Sequence, residues 1–200
     1  MRIVLASASP SRKAILTNAG VEPLVDPANI DEDAIFDAMT GQKESAIVEK
    51  LAGAKAAAVA DKYPNDVVIG CDSMLFIDGT LMGKPHTIEA TIDRWKAQRG
   101  RRGELITGHC VITPQGRFIG TARTSVWFAD ASDADVEAYA RTGEPLECAG
   151  AFTLEAIGGW FIDRIEGDPS SVVGLSLPLV RRALYVLGYN VHELWGPTVS

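Results

Sequence analysis

The run from Val67 to Ile77, with the Asp78-Gly79 pair that follows it, constrains the fold of this chain more than any other stretch. The run is mostly apolar and β-branched at its ends, which reads as a buried strand. Asp-Gly is a strong hairpin-turn signal. A buried strand that turns straight back argues against a purely parallel sheet, whose connections are all long crossovers. Helices and strands alternate around it. Ile3 to Ala6 reads as a short buried strand, and Ser9-Pro10 as an N-cap with Pro at N1, opening a helix that Gly20 closes. Residues 44–61 place Ile47, Val48, Leu51, Ala54 and Ala58 at helical spacing. Residues 87–98 read as a helix, and 104–112 and 118–128 as strands around the turn Thr113-Pro114-Gln115-Gly116. Ser132 with Asp135 predicts a capped helix to about Arg141. A strand over 157–165 and a helix over 176–188 complete the pattern. The expected fold is α/β or α+β with a mixed sheet.

With 200 residues, the chain suits one domain or two small lobes sharing a core. The net charge of −7 argues against a general nucleic-acid binder, which carries a surplus of cations. It leaves room for a small phosphorylated ligand held by a few cations in one place. Cys71, Cys110 and Cys148 lie far apart without a C-x-x-C pair, which argues against a disulfide framework and a thiolate zinc site. His86, His109 and His192 are equally dispersed. No apolar run has the length of a membrane span, and the N-terminal one is too short for a signal peptide. A reducing cytoplasm is the expected compartment.

The stretch Leu5-Ala6-Ser7-Ala8-Ser9-Pro10-Ser11-Arg12-Lys13 ends a strand, turns on small hydroxyl residues and opens a helix with two cations. Cations there oppose the helix dipole, and an anion on the free backbone amides would remove the conflict. A plain N-cap with solvated basic residues fits the pattern equally well. Asp72 stands inside the apolar run, where a carboxylate needs an ion, a metal or hydrogen bonds. The alternatives are a functional carboxylate and a structural one at a bulge. Gly70 beside it admits a ligand or another backbone. Lys84 follows the hairpin and returns near the level of Asp72, though alone it reads as an exposed loop lysine. Ile30-Asp31-Glu32-Asp33, with Glu44 further on, reads as an acidic loop of the kind that suits a hard cation or simply faces solvent. Spacing alone does not decide Lys55. Residues 143–155 form a shaped loop that carries Glu147 and Glu155 and could present an acceptor to a ligand's edge. Arg99-Gly100-Arg101-Arg102 reads as a basic helix end.

Taken in order, the strings LASASPSRKAIL, IDED, KESAIVEKLAGAKA, VIGCDSMLFIDGTLMGKP, RRGELITGHCVI and GEPLECAGAFTLEAIGGWFIDRIEGDPSSVVGL resemble the Maf family of nucleoside triphosphate pyrophosphatases, from about residue 2 to 188. The resemblance implies a single Maf-like domain over 1–200. Its fold would be α/β, with a mixed twisted sheet, flanking helices and two lobes around a cleft, like the inosine triphosphate pyrophosphatases. Homodimers are frequent in the family. The implied reaction releases pyrophosphate and a monophosphate with the help of a divalent cation, Mg2+ or Mn2+. By the same resemblance, Asp72 matches the carboxylate that accepts the proton of the attacking water; the residues themselves suit it equally to the role of base and of metal ligand. Ser9 and Arg12 belong to the phosphate-binding motif, and Lys55 and Lys84 face the triphosphate. Glu32 and Glu44 join Asp72 near the metal.

Three positions depart from the family's branches. The branch acting on dTTP and UTP has Arg, Thr and Gln where this chain has Ser11, Ser73 and Glu155. The branch acting on 7-methyl-GTP has Trp, Gln and Glu there. Only Glu155 matches. A glutamate can accept from the N1–H and amino group of guanine, so a purine or modified base is expected. Ser11 lacks the stacking face that Trp would give. In Gly174-Leu175-Ser176-Leu177 the family's proline is displaced to 178, which shifts the start of the last helix. The competing function is a non-catalytic nucleotide-binding regulator of cell division, since the family is also linked to septum inhibition.

Overall fold

The computed structural model describes residues 1–195. In chain order the elements are β1 (Ile3–Leu5), α1 (Pro10–Asn18), β2 (Leu24–Val25), α2 (Glu32–Ala38), α3 (Glu44–Ala60), β3 (Val67–Ile77), β4 (Thr80–Met82) and α4 (Ile88–Gln98). They continue as β5 (Arg102–Thr113), β6 (Gly116–Phe128), α5 (Asp133–Arg141), β7 (Ile162–Glu166), α6 (Pro169–Val173) and α7 (Leu177–Val186). The strands form one sheet in the order β2-β1-β3-β5-β6-β7, with β4 paired to β3 off that path. β1 runs parallel to β2 and β3, while β4 and β7 run antiparallel to β3 and β6. The sheet is therefore mixed, as the hairpin signal requires. Asp78 and Gly79 both have positive φ (50° and 77°), the backbone of a type I′ turn. No helix among the described residues is long and apolar enough to cross a membrane.

The chain forms two compact units. The first comprises Met1–Asp72, Thr107–Ala122 and the stretch from Gly174 onward; the second comprises Ser73–Ile106 and Arg123–Val173. In the first unit, alternate strand residues enter different cores. Ile3, Leu5 and Ile69 pack with Leu16 of α1 and Val180 and Leu184 of α7. Val4 and Val68 pack with Ala52, Ala56 and Val59 of α3. Because side chains alternate along a strand, both faces are covered by helices, and the strands read as continuous apolar runs. The second unit is built around Trp95, whose ring meets Phe128, Tyr139 and Phe161 edge-on at 5.6–5.9 Å. Its indole Nε1 donates to the carbonyl of Ala151 at 2.7 Å.

Helix α3 lies against the sheet by its backbone. A Cβ on Gly70 would stand 2.2 Å from the Ala52 carbonyl oxygen and 2.7 Å from the Ala56 nitrogen. One on Gly108 would stand 2.3 Å from the Val48 oxygen and 2.7 Å from the Glu49 nitrogen. Of the two uses open to Gly70, the approach of another backbone is the one found.

Two sequence expectations change. The acidic stretch is a helix start and not only a loop: Asp31 caps α2 by accepting from the Ala34 amide at 2.9 Å, and Glu32 and Asp33 fill its first turn, where the dipole favours acids. The strand expected from 157 starts only at Ile162. Before it, Ile157–Phe161 is a 3-10 turn, because the amides of Ile157 and Gly158 go to the Glu144 carboxylate instead of a strand partner.

Gly70→Ala should lower stability by roughly 1–3 kcal/mol, the usual cost of overpacking. For a chain of this size that is a fall in melting temperature of about 2–12 °C, readable in a thermal scan.

Candidate functional site

Gly70 and Asp72 share one face of β3, so the carboxylate of Asp72 points to the side on which α3 lies. Asp72 is 6 % exposed and Lys55 of α3 is 8 % exposed. Lys55 Nζ donates to Asp72 Oδ1 at 2.7 Å and stands 2.7 Å from Glu32 Oε2 of α2. One ammonium thus joins two carboxylates. Asp72 Oδ2 is buried without a hydrogen-bond partner among the described residues. Burial raises the proton affinity of Asp72; Lys55 and Arg12 pull it down, and Glu32 adds a smaller push upward. Two carboxylates, one with an unsatisfied buried oxygen, are a donor set that fits a hard divalent cation sharing its shell with phosphate oxygens.

The N-terminal motif belongs to the same unit. Ser9 caps α1, its Oγ accepting from the Arg12 amide at 3.4 Å. Ser7 Oγ accepts from the Ser9 amide at 3.2 Å and from Arg12 Nη1 at 3.0 Å. Arg12 Nε donates to the Gly174 carbonyl at 2.8 Å. The guanidinium is thus anchored beside the start of the helix, despite the opposing dipole. Ser11 is half-buried in the first turn of α1. Lys13, read from sequence as a partner of Arg12, turns instead to Glu22 at 3.2 Å. Glu44 opens α3 and Lys55 lies eleven residues later, about 16 Å along the axis at 1.5 Å per residue. Glu44 is therefore not brought to the Asp72–Lys55–Glu32 group. Among the described residues no three His, Cys, Asp or Glu side chains gather as a metal cluster.

Ser73, Lys84 and Glu155 belong to the second unit. Ser73 is half-buried on β3. The β3–β4 ladder, which pairs Leu75 with Met82, would set Lys84 opposite Ser73 if it continued, but β4 ends at Met82. Lys84 Nζ lies 3.2 Å from Glu147 Oε2, and His86 Nδ1 lies 3.0 Å from Glu147 Oε1. His86 and Lys84 together hold the Glu147 carboxyl below its usual range. Glu155 is exposed, and its Oε2 accepts from the Leu154 amide at 3.1 Å.

Sequence reading missed what holds these groups. The signal at Ser7 is a hydroxyl two residues before the cap. Glu144 stands in the same loop as Glu147. Its carboxylate accepts from Tyr139 Oη at 3.1 Å, the Gly158 amide at 2.9 Å, the Ile157 amide at 3.1 Å and the Thr153 hydroxyl. Burial opposes its ionisation, but these bonds outweigh burial and hold its carboxyl below the usual range. It thereby fixes the loop on which Glu155 sits.

A family model described as Maf-like protein matches residues 2–187. The chain is 69 % identical over 195 residues to a nucleoside triphosphate pyrophosphatase of Corynebacterium diphtheriae, covering 98 % of each. It is 67 % identical over 195 residues to the protein of the same name from Corynebacterium aurimucosum, again covering 98 % of each. Among solved structures, the Staphylococcus aureus Ham1 protein aligns with a TM-score of 0.46 at 20 % identity, covering 66 % of this chain and 73 % of that one.

Lys55→Met leaves the buried Asp72 carboxylate without its hydrogen-bonded cation. We expect a loss of about 3–5 kcal/mol at neutral pH, as for removal of one partner of a buried pair. Adding Asp72→Asn to Lys55→Met should recover most of it. Urea titration of the single and double variants checks the coupling.

Proposed function

Because this chain belongs to the Maf-like family, we propose that it is a nucleoside triphosphate pyrophosphatase, cleaving its substrate between the α and β phosphorus atoms. The observation that carries the mechanism is the buried Asp72, with one oxygen on Lys55 and the other unpaired. Water attacks the α phosphorus, a new P–O bond forms, and the bond to the bridging oxygen breaks. Pyrophosphate leaves with the electron pair, and the water's proton passes to the Asp72 carboxylate. Burial raises the proton affinity of this carboxylate, which makes it a better base than an exposed one, while the Lys55 ammonium favours its ionised form.

Arg12, beside the start of α1 capped by Ser9, receives phosphate oxygens, and Lys55 offsets charge that develops on the leaving group. Lys84 is a further triphosphate contact. It gives up Glu147 for the substrate, a small loss for an exposed pair. Glu32 is the residue that would hold the Mg2+ or Mn2+ ion while Asp72 acts as base, Asp72 Oδ2 joining it only in the alternative in which Asp72 is a ligand; Glu44 is not part of that set. When bound, the ion neutralises phosphate charge and polarises the phosphoryl group. Ser11, Ser73 and Glu155 select the base. Glu155 favours a guanine-like edge that offers two donors, and the small Ser11 has no ring on which a base could stack. A homodimer and a cytoplasmic setting belong to the same reading.

Product analysis tests this. With Mg2+ or Mn2+, a panel of unmodified and methylated nucleoside triphosphates should give pyrophosphate and monophosphate, purines faster than pyrimidines. Asp72→Asn should lower kcat by about 10²–10⁴-fold, the range for loss of a general base. Release of orthophosphate would overturn the reaction. Tight nucleotide binding without turnover across the panel would favour the regulator of cell division.

A further inference from the structure

Helix α7 begins with an unusual cap. Ser176 is its N-cap, and its Oγ accepts from the Leu179 amide at 3.1 Å. In a capping box, a Glu or Gln at the third helical position would accept from the cap residue's own amide. That position holds Leu179, which has no acceptor. The amide of Ser176 instead donates to Nε2 of His109, on β5, at 2.8 Å. His109 is wholly buried, and its Nδ1 lies 3.0 Å from the Thr107 carbonyl. A backbone amide can only donate, so Nε2 is the acceptor and the proton sits on Nδ1, directed at Thr107. The ring is thereby fixed in one neutral tautomer.

Two residues before Ser176 stands Gly174, whose carbonyl holds Arg12 Nε at 2.8 Å. The same guanidinium is held by Ser7 Oγ at 3.0 Å and lies close enough to Asp72 to lower its proton affinity. All these residues belong to the first unit. We propose that His109 is a positioning residue for phosphate binding: by standing in for the missing capping-box acceptor, it fixes the Gly174–Ser176 turn whose carbonyl aims Arg12. This rests on the pyrophosphatase reading above. His109 does not touch the substrate and takes no part in proton transfer.

Three variants test it in the full chain. His109→Leu removes the acceptor. His109→Gln can place its Oε1 where Nε2 stands, and His109→Asn is too short to do so. KM for the preferred triphosphate, and the inhibition constant of added pyrophosphate, should rise about tenfold in the Leu and Asn variants, the scale of one lost charge-assisted bond. Their kcat should stay within about twofold, and the Gln variant should keep both constants near wild type. Should His109→Leu not fold, the Gln and Asn pair decides alone. Unchanged KM in His109→Asn, or a loss confined to kcat, overturns the inference. So does a Gln variant as impaired as the Asn one. Absence of hydrolysis in the wild type would instead sink the reading on which the proposal rests; binding of a non-hydrolysable triphosphate analogue, weakened or not in His109→Asn, would then still decide the role of His109.

Discussion

The rest of the site depends on a close approach of backbone to backbone. Gly70 and Gly108 sit on neighbouring strands, and neither has room for a methyl group beneath α3. The helix therefore rides low enough for Lys55 to reach a strand residue. Without that contact, Asp72 would be a charge inside an apolar run without its hydrogen-bonded cation. Packing comes first here and electrostatics follows from it. Two absent side chains allow one long one to neutralise a buried carboxylate.

Much of the fold was legible in the chain. Helical spacing over 44–61 and the apolar run 67–77 gave α3 and β3 almost to the residue, since both are long and strongly patterned. The Asp78-Gly79 turn followed from backbone sterics. What escaped was short or held by side chains. Helix α2 has only seven residues, and its acidic start reads as a loop until Asp31 is seen as a cap. The stretch before β7 has the composition of a strand, but Glu144 takes its amides, and nothing in a local window shows that competitor.

The site was legible in residue type more than in arrangement. An aspartate in an apolar run announces that something must meet it, and Lys55 does. Glu32 also arrives, whereas Glu44 lies at the far end of the same helix as Lys55, a separation that helical rise alone would have exposed. Lys13 and Arg12 are adjacent in sequence but diverge, one to Glu22 and the other to Gly174. The anchors, Ser7, Glu144 and Gly174, work through geometry, for which sequence pattern has no symbol.

The bond between Arg12 and Gly174 spans 162 residues. A ribosome makes the first partner long before the second, so the nascent chain holds this guanidinium without its Gly174 anchor until the intervening residues are made. Non-local closure of this kind is slow to form and brings no benefit until the last segment arrives. A chain stopped before Gly174 would lack Leu175, Val180 and Leu184 of the core together with the carbonyl that holds Arg12. The arrangement defers the Gly174 anchor of Arg12 until the whole stretch between the two has been made.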